Sequence, residues 1–95
     1  MDVSANANRI IIVGNIKSND DFKRIKNTVD GVVTNHKSIV VDVQDSMSFT
    51  SSIIGYFNKL ILKDNVDVNI NVTDKELYAL LDDLNLVSTF KLKRV

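Results

Sequence analysis

Five hydroxyl side chains fall within seven residues, at Ser46, Ser48, Thr50, Ser51 and Ser52. The aliphatic run Ile39-Val40-Val41 with Asp42-Val43 precedes them, and Ile53, Ile54, Phe57, Leu60 and Ile61 follow at helical spacing. The hydroxyls therefore sit where a strand-end loop runs into a helix. One of Thr50, Ser51 and Ser52 is expected to cap that helix, since a hydroxyl there accepts from a backbone N–H that has no helical partner. Capping uses one hydroxyl and leaves the others free. A phosphate added at this point would meet unpaired N–H groups and the positive end of the helix dipole, so it would be held rather than repelled.

Other reactive residue types are sparse. His36 is the only histidine and falls in a loop, where a solvated residue is expected rather than a ligand or base. No Gly-x-Ser-x-Gly elbow accompanies it. The glycines stand alone at 14, 31 and 55, so no phosphate-cradling loop is present. Asp20-Asp21 and Asp82-Asp83 are neighbours on predicted helices, which direct adjacent side chains to different azimuths; they read as surface charge rather than a metal site. Asp42 is a carboxylate within a strand. A phospho-accepting aspartate of the response-regulator type also needs an acidic pair after the first strand, and Gly14-Asn15-Ile16-Lys17 supplies none. Asp42 is therefore expected to be structural, binding nearby backbone amides. No catalytic constellation is visible, and neither a metal nor a cofactor is expected.

The elements that must position the hydroxyl run follow from periodicity. Ile10-Ile11-Ile12-Val13 and Ile39 to Val43 read as strands buried on both faces. Ser18 is placed to cap a helix whose stripe is Phe22, Ile25, Val29 and Val32. Val66, Val68, Ile70 and Val72 alternate with polar residues, the pattern of a strand with one wet face. Thr73 with Glu76 forms a capping box for a third helix with Leu77, Leu80, Leu81 and Leu84 on its core face. Phe90 and Leu92 predict a short last strand. This order specifies an α/β fold, with about four strands in a mostly parallel sheet flanked by helices. Residues 1–8 are polar and are expected to be a flexible segment ahead of a single domain over residues 9–95.

Composition narrows the classes. The chain has 95 residues, no cysteine, no proline, and twelve Lys+Arg against twelve Asp+Glu. That balance opposes a nucleic-acid role, which normally needs a basic excess to neutralise phosphates. Absent cysteine removes disulfides and thiolate chemistry. Apolar runs such as Ile10 to Val13 are too short for a membrane span, and Met1 to Asn8 lacks a signal-peptide layout. A cytoplasmic protein without direct membrane insertion is expected.

The segment Ile39 to Gly55 resembles the central part of STAS domains, the family of the anti-sigma factor antagonists. There a buried strand ending in Asp and an aliphatic residue leads through a short loop into Asp-Ser-Ser-Gly-aliphatic-Gly. Val41-Asp42-Val43 is similar to the strand, and Thr50-Ser51-Ser52-Ile53-Ile54-Gly55 to the motif, with Ser51 in the register of the phosphorylated serine. Val72 to Leu77, Leu80-Leu81 and Leu84-Asn85-Leu86 resemble the family's later helix and its Leu-Gly-Leu-type ending. Thr50 replaces the family's Asp, Ile53 its Gly, and Lys17 an acidic residue after the first strand.

The resemblance implies a bacterial partner-switching regulator that binds a serine-kinase-type anti-sigma factor and is switched by phosphorylation, with a phosphatase as second partner. It implies Ser51 as phospho-acceptor, with Ser52 and Thr50 as alternatives. Asn15, Lys17, Ser48, Thr50, Ser51, Ser52 and Gly55 would form the partner-binding face. The alternative is a non-switching STAS subunit of a signalling scaffold or lipid-transport complex.

Overall fold

A computed structural model describes residues 1–95. Strands β1 (Asp2–Asn6) and β2 (Arg9–Val13) form a hairpin, and helix α1 (Asn19–Val33) leads to β3 (Ser38–Gln44). Helix α2 (Ser51–Leu62), β4 (Asp67–Val72), α3 (Lys75–Asp83) and β5 (Lys93–Arg94) complete the chain. The sheet order is β1-β2-β3-β4-β5, with β1 antiparallel to β2 and the other neighbours parallel. The expected α/β class holds, with five strands rather than four.

Each parallel crossover steps one strand in the same direction, so right-handed connections bring all three helices to one face. A single cluster of 21 buried residues shows this, joining Ile10, Ile12, Ile39, Val41, Val43, Val68 and Ile70 to Ile25, Phe57 and Leu81. Here β2 and β3 depart from the expected burial on both faces. Ile11, Val13 and Val40 are only half-buried, on a face that no helix covers. On that face Asp42 accepts from the Arg9 guanidinium and, at 2.9 Å, from the Asn71 amide. Asp42 is structural, as expected, but its partners are side chains of the flanking strands rather than backbone amides.

The N-terminal strand is a further correction. Asp-Val-Ser-Ala-Asn carries one β-branched residue and little strand propensity. It is ordered by its ladder to β2 and by Met1 and Val3 packing on the core. Arg24 on α1 donates to the Met1 carbonyl at 3.0 Å. Ala7, with φ of 54°, makes the two-residue turn possible, since hairpin turns of this length need a left-handed residue.

The cap of α3 is Asp74, not Thr73: its carboxylate accepts from the Glu76 and Leu77 amides at 2.8 and 3.0 Å. Thr73 still belongs to the sheet end, donating its amide to the Val43 carbonyl. Asp74→Ala is expected to lower stability by about 1 kcal/mol, more than Thr73→Ala, read from urea midpoints. Only Leu77 and Leu81 of α3 are buried, whereas Leu80 and Leu84 are 36% and 50% exposed, because this short helix lies at the sheet's margin and buries a narrow stripe. Phe90 and Leu92 are buried in the turns before β5 rather than in a strand, and Lys91, with φ of 46°, breaks extended pairing between them. No helix is long and apolar enough to cross a membrane.

Candidate functional site

The hydroxyl run lies at the carboxyl ends of the parallel strands, where open α/β sheets place their sites. Two loops meet there, residues 14–18 after β2 and residues 45–50 after β3. Gly14, at φ of 96°, starts the first loop and bonds its amide to the Gln44 carbonyl at 2.8 Å. The positive φ is what requires glycine, since a Cβ at this position would meet the Met1 Cα only at 3.4 Å, an ordinary contact distance. Asn15 ties the loops together by accepting from the Met47 amide at 2.9 Å. Phe49, buried against Phe57, anchors the second loop just before the helix begins.

Thr50 is the N-cap of α2, its hydroxyl accepting from the Ile53 amide at 3.2 Å. This resolves the choice among the three hydroxyls. Ser51 and Ser52 then fill the first turn with exposed side chains and backbone amides that have no helical carbonyl to bond. No acidic residue offsets the helix dipole in that turn, unlike the first turn of α1, which holds Asp20 and Asp21. Ser18 caps α1 as expected, accepting from the Asp21 amide at 3.2 Å, while the Asp21 carboxylate accepts from the Lys17 amide.

The two helix N-termini flank a cavity of about 300 Å³ lined by Lys17, Ser18, Asn19, Phe22, Thr50 and Ser52. Phe22 is its one hydrophobic wall, so it differs from the mostly apolar pockets that bury small molecules. The Lys17 ammonium is outside all three ion pairs of the structure. Of the predicted site residues, Lys17, Thr50 and Ser52 thus meet at one cavity. Ser51 lies beside it at the first helical position, and Gly55 follows four residues later on the same helix face. Gly55 is exposed with open space where a Cβ would stand. Ser48 is exposed in the loop, and its carbonyl accepts from the buried Ser46 hydroxyl at 3.4 Å. Asn15 braces this region through the loop.

Sequence patterns did not single out Met47, 53% exposed at the tip of the second loop, or Phe22 and Asn19 as cavity walls. They also missed a cluster that fixes α1 against α2. The Tyr56 hydroxyl donates to Asp30 at 2.5 Å, Asp30 also accepts from Lys26 at 2.9 Å, and the Lys26 ammonium stands 5.9 Å from the Tyr56 ring centroid. Burial, reinforced by the bond to Asp30, pushes the Tyr56 phenol far above its ordinary value. Desolvation pushes the Asp30 carboxyl up, but the bonds from Tyr56 and Lys26 outweigh it and hold it below the usual carboxylate range. Lys26 and Asp30 are 43% and 45% exposed, so their ion pair adds little and the Tyr56 hydroxyl carries the stabilisation.

Tyr56→Phe should therefore cost about 0.5–1.5 kcal/mol near neutral pH. Because the folded value of Asp30 is lowered, the contribution is complete above the ordinary carboxylate value, about 3.9, and is lost as pH falls through the folded value. Thermal melts should show a constant gap between wild type and variant from about pH 5 to 8, narrowing below about pH 4.

No protein-family model matches this chain, and no match was found among curated proteins or solved structures.

Proposed function

We propose that this chain is a partner-switching regulator of the anti-sigma factor antagonist type, in which phosphate on Ser51 releases a serine-kinase-type protein partner. One observation carries the reading: two exposed serines occupy the first turn of α2, where no acidic side chain offsets the helix dipole. The exposed Lys17 stands at the neighbouring cavity. A phosphoserine brings about −1.5 to −2 charges at neutral pH, which this environment tolerates within the protein and a desolvated partner surface does not. Thr50 is half-buried and engaged as the cap, so it ranks behind Ser51 and Ser52 as acceptor. Lys17, Ser48, Ser51, Ser52 and Gly55 supply the exposed surface for the partner, and Asn15 holds the two loops in place. A phosphatase would return the modified form to the binding state.

Wild type, Ser51→Ala and Ser51→Asp, used as parallel baits in the native lysate, test the proposal. Wild type and Ser51→Ala should recover a serine kinase that Ser51→Asp does not. Equal recovery by all three would reject the switch and favour a fixed structural subunit.

A further inference from the structure

The two edges of the sheet are protected very differently. At one edge β5 is two residues long, Lys93–Arg94, and both are charged. Short, basic edge strands resist pairing with other chains. At the other edge β1 has five residues, with no lysine, arginine or proline and one charge, at Asp2. Helix α1 packs beneath β1 but leaves Ala5 exposed.

The direction of the free main-chain groups follows from the register. The turn Ala7-Asn8 closes on the Asn6–Arg9 pair, which in a two-residue hairpin exchanges main-chain hydrogen bonds. Antiparallel pairs then alternate, so Ser4–Ile11 and Asp2–Val13 are also bonded, whereas Ala5–Ile10 and Val3–Ile12 are not. The amides and carbonyls of Val3 and Ala5 consequently point away from β2, toward solvent.

We infer that this edge pairs with β1 of a second copy of the chain, antiparallel about a two-fold axis at Ser4, joining two sheets into one of ten strands. In that register Val3 faces the partner's Ala5 and Ala5 the partner's Val3. Each of these pairs exchanges two N–H···O bonds, so all outward groups of both residues are satisfied. Asp2 faces the partner's Asn6, which separates the two carboxylates, whereas a parallel in-register pairing would set Asp2 against Asp2. The contact is isologous and closes at two copies, because the opposite edge is blocked. One short strand pair covers less than a standard interface of about 1,600 Å², so the dimer dissociates on dilution.

Ala5→Pro tests this on the intact chain. Proline removes the outward amide of Ala5 and no bond of the β1–β2 ladder, and edge strands tolerate it there. In sedimentation equilibrium the wild-type mass should rise with concentration toward twice that of the monomer, while Ala5→Pro stays monomeric and melts at the temperature of dilute wild type. In wild type, hydrogen exchange at the Val3 and Ala5 amides should slow as concentration rises, while exchange at Ser4 stays constant; this measurement needs no variant. A wild type that remains monomeric, a dimer that survives Ala5→Pro, or exchange at Val3 and Ala5 independent of concentration would each overturn the inference.

Discussion

Truncating Phe57 to alanine should destabilise the protein by about 3–5 kcal/mol. Domains of this size have only about 5–15 kcal/mol in total, so the loss approaches global unfolding. The ring is fully buried, and its centroid lies 5.6 Å from that of Tyr56, 6.2 Å from Phe90 and 6.4 Å from Phe49. It therefore joins α2 to the loop before it and to the turns before β5. The cavity left by truncation adds to the lost transfer free energy, because rings held by three different segments cannot all collapse into one hole. Phe57→Leu keeps most of the volume and should cost much less. Chemical denaturation of the two variants reads the difference directly. The effect also reaches the proposed switch: Phe49 packs on Phe57 directly before the cap Thr50, so truncating Phe57 should loosen the loop that leads into Ser51.

The second large effect concerns charge at Ser51. On the proposed switch, Ser51→Asp should weaken binding of a serine-kinase-type partner by at least about a hundredfold, since a like or unpaired charge in a desolvated interface costs several kcal/mol and each 1.4 kcal/mol is a factor of ten. The same variant should raise the melting temperature by about 2–6 °C, because a carboxylate in the first turn complements a dipole that α2 leaves without acidic neighbours. The two signs together are diagnostic. A variant that lost binding through misfolding would melt lower, whereas local repulsion loses binding in a more stable protein. Titration calorimetry with the purified partner and a thermal melt check both signs.

Neutrality sharpens the expected response. With twelve basic and twelve acidic side chains, a single phosphate takes the whole molecule from neutral to net negative as well as changing the field at α2. Since the chain has no cysteine, a covalent switch here cannot use a thiol.

Much of the scaffold around Ser51 was legible in the sequence, because its signals are local. The Ile10–Val13 run with Gly14, the cap at Ser18 and the hydroxyls before Ile53 are read within a few residues, and the structure keeps each in its expected element. What the sequence concealed depends on distant partners. Asp2–Asn6 has almost no intrinsic strand signal and becomes a strand because β2 offers a ladder. Tyr56 and Asp30 are 26 residues apart and meet only when α1 and α2 pack. Local rules also competed at α3: Thr73 and Asp74 are both good caps, but the Thr73 amide bonds the Val43 carbonyl and its hydroxyl accepts from the Asp45 amide, which leaves the cap to Asp74. Leu80 and Leu84 fit a helical stripe, yet the space beside β4 accepts only Leu77 and Leu81. Burial on one face of the sheet follows from strand order, which periodicity along the chain does not encode.

Site-resolved mass spectrometry of the protein purified from its own cells tests the proposed switch most directly. A fraction of molecules should carry one phosphate on Ser51, and treatment with a serine phosphatase should remove it and restore partner binding. Phosphate confined to other residues, or none under any growth condition, would contradict the switch at the start of α2.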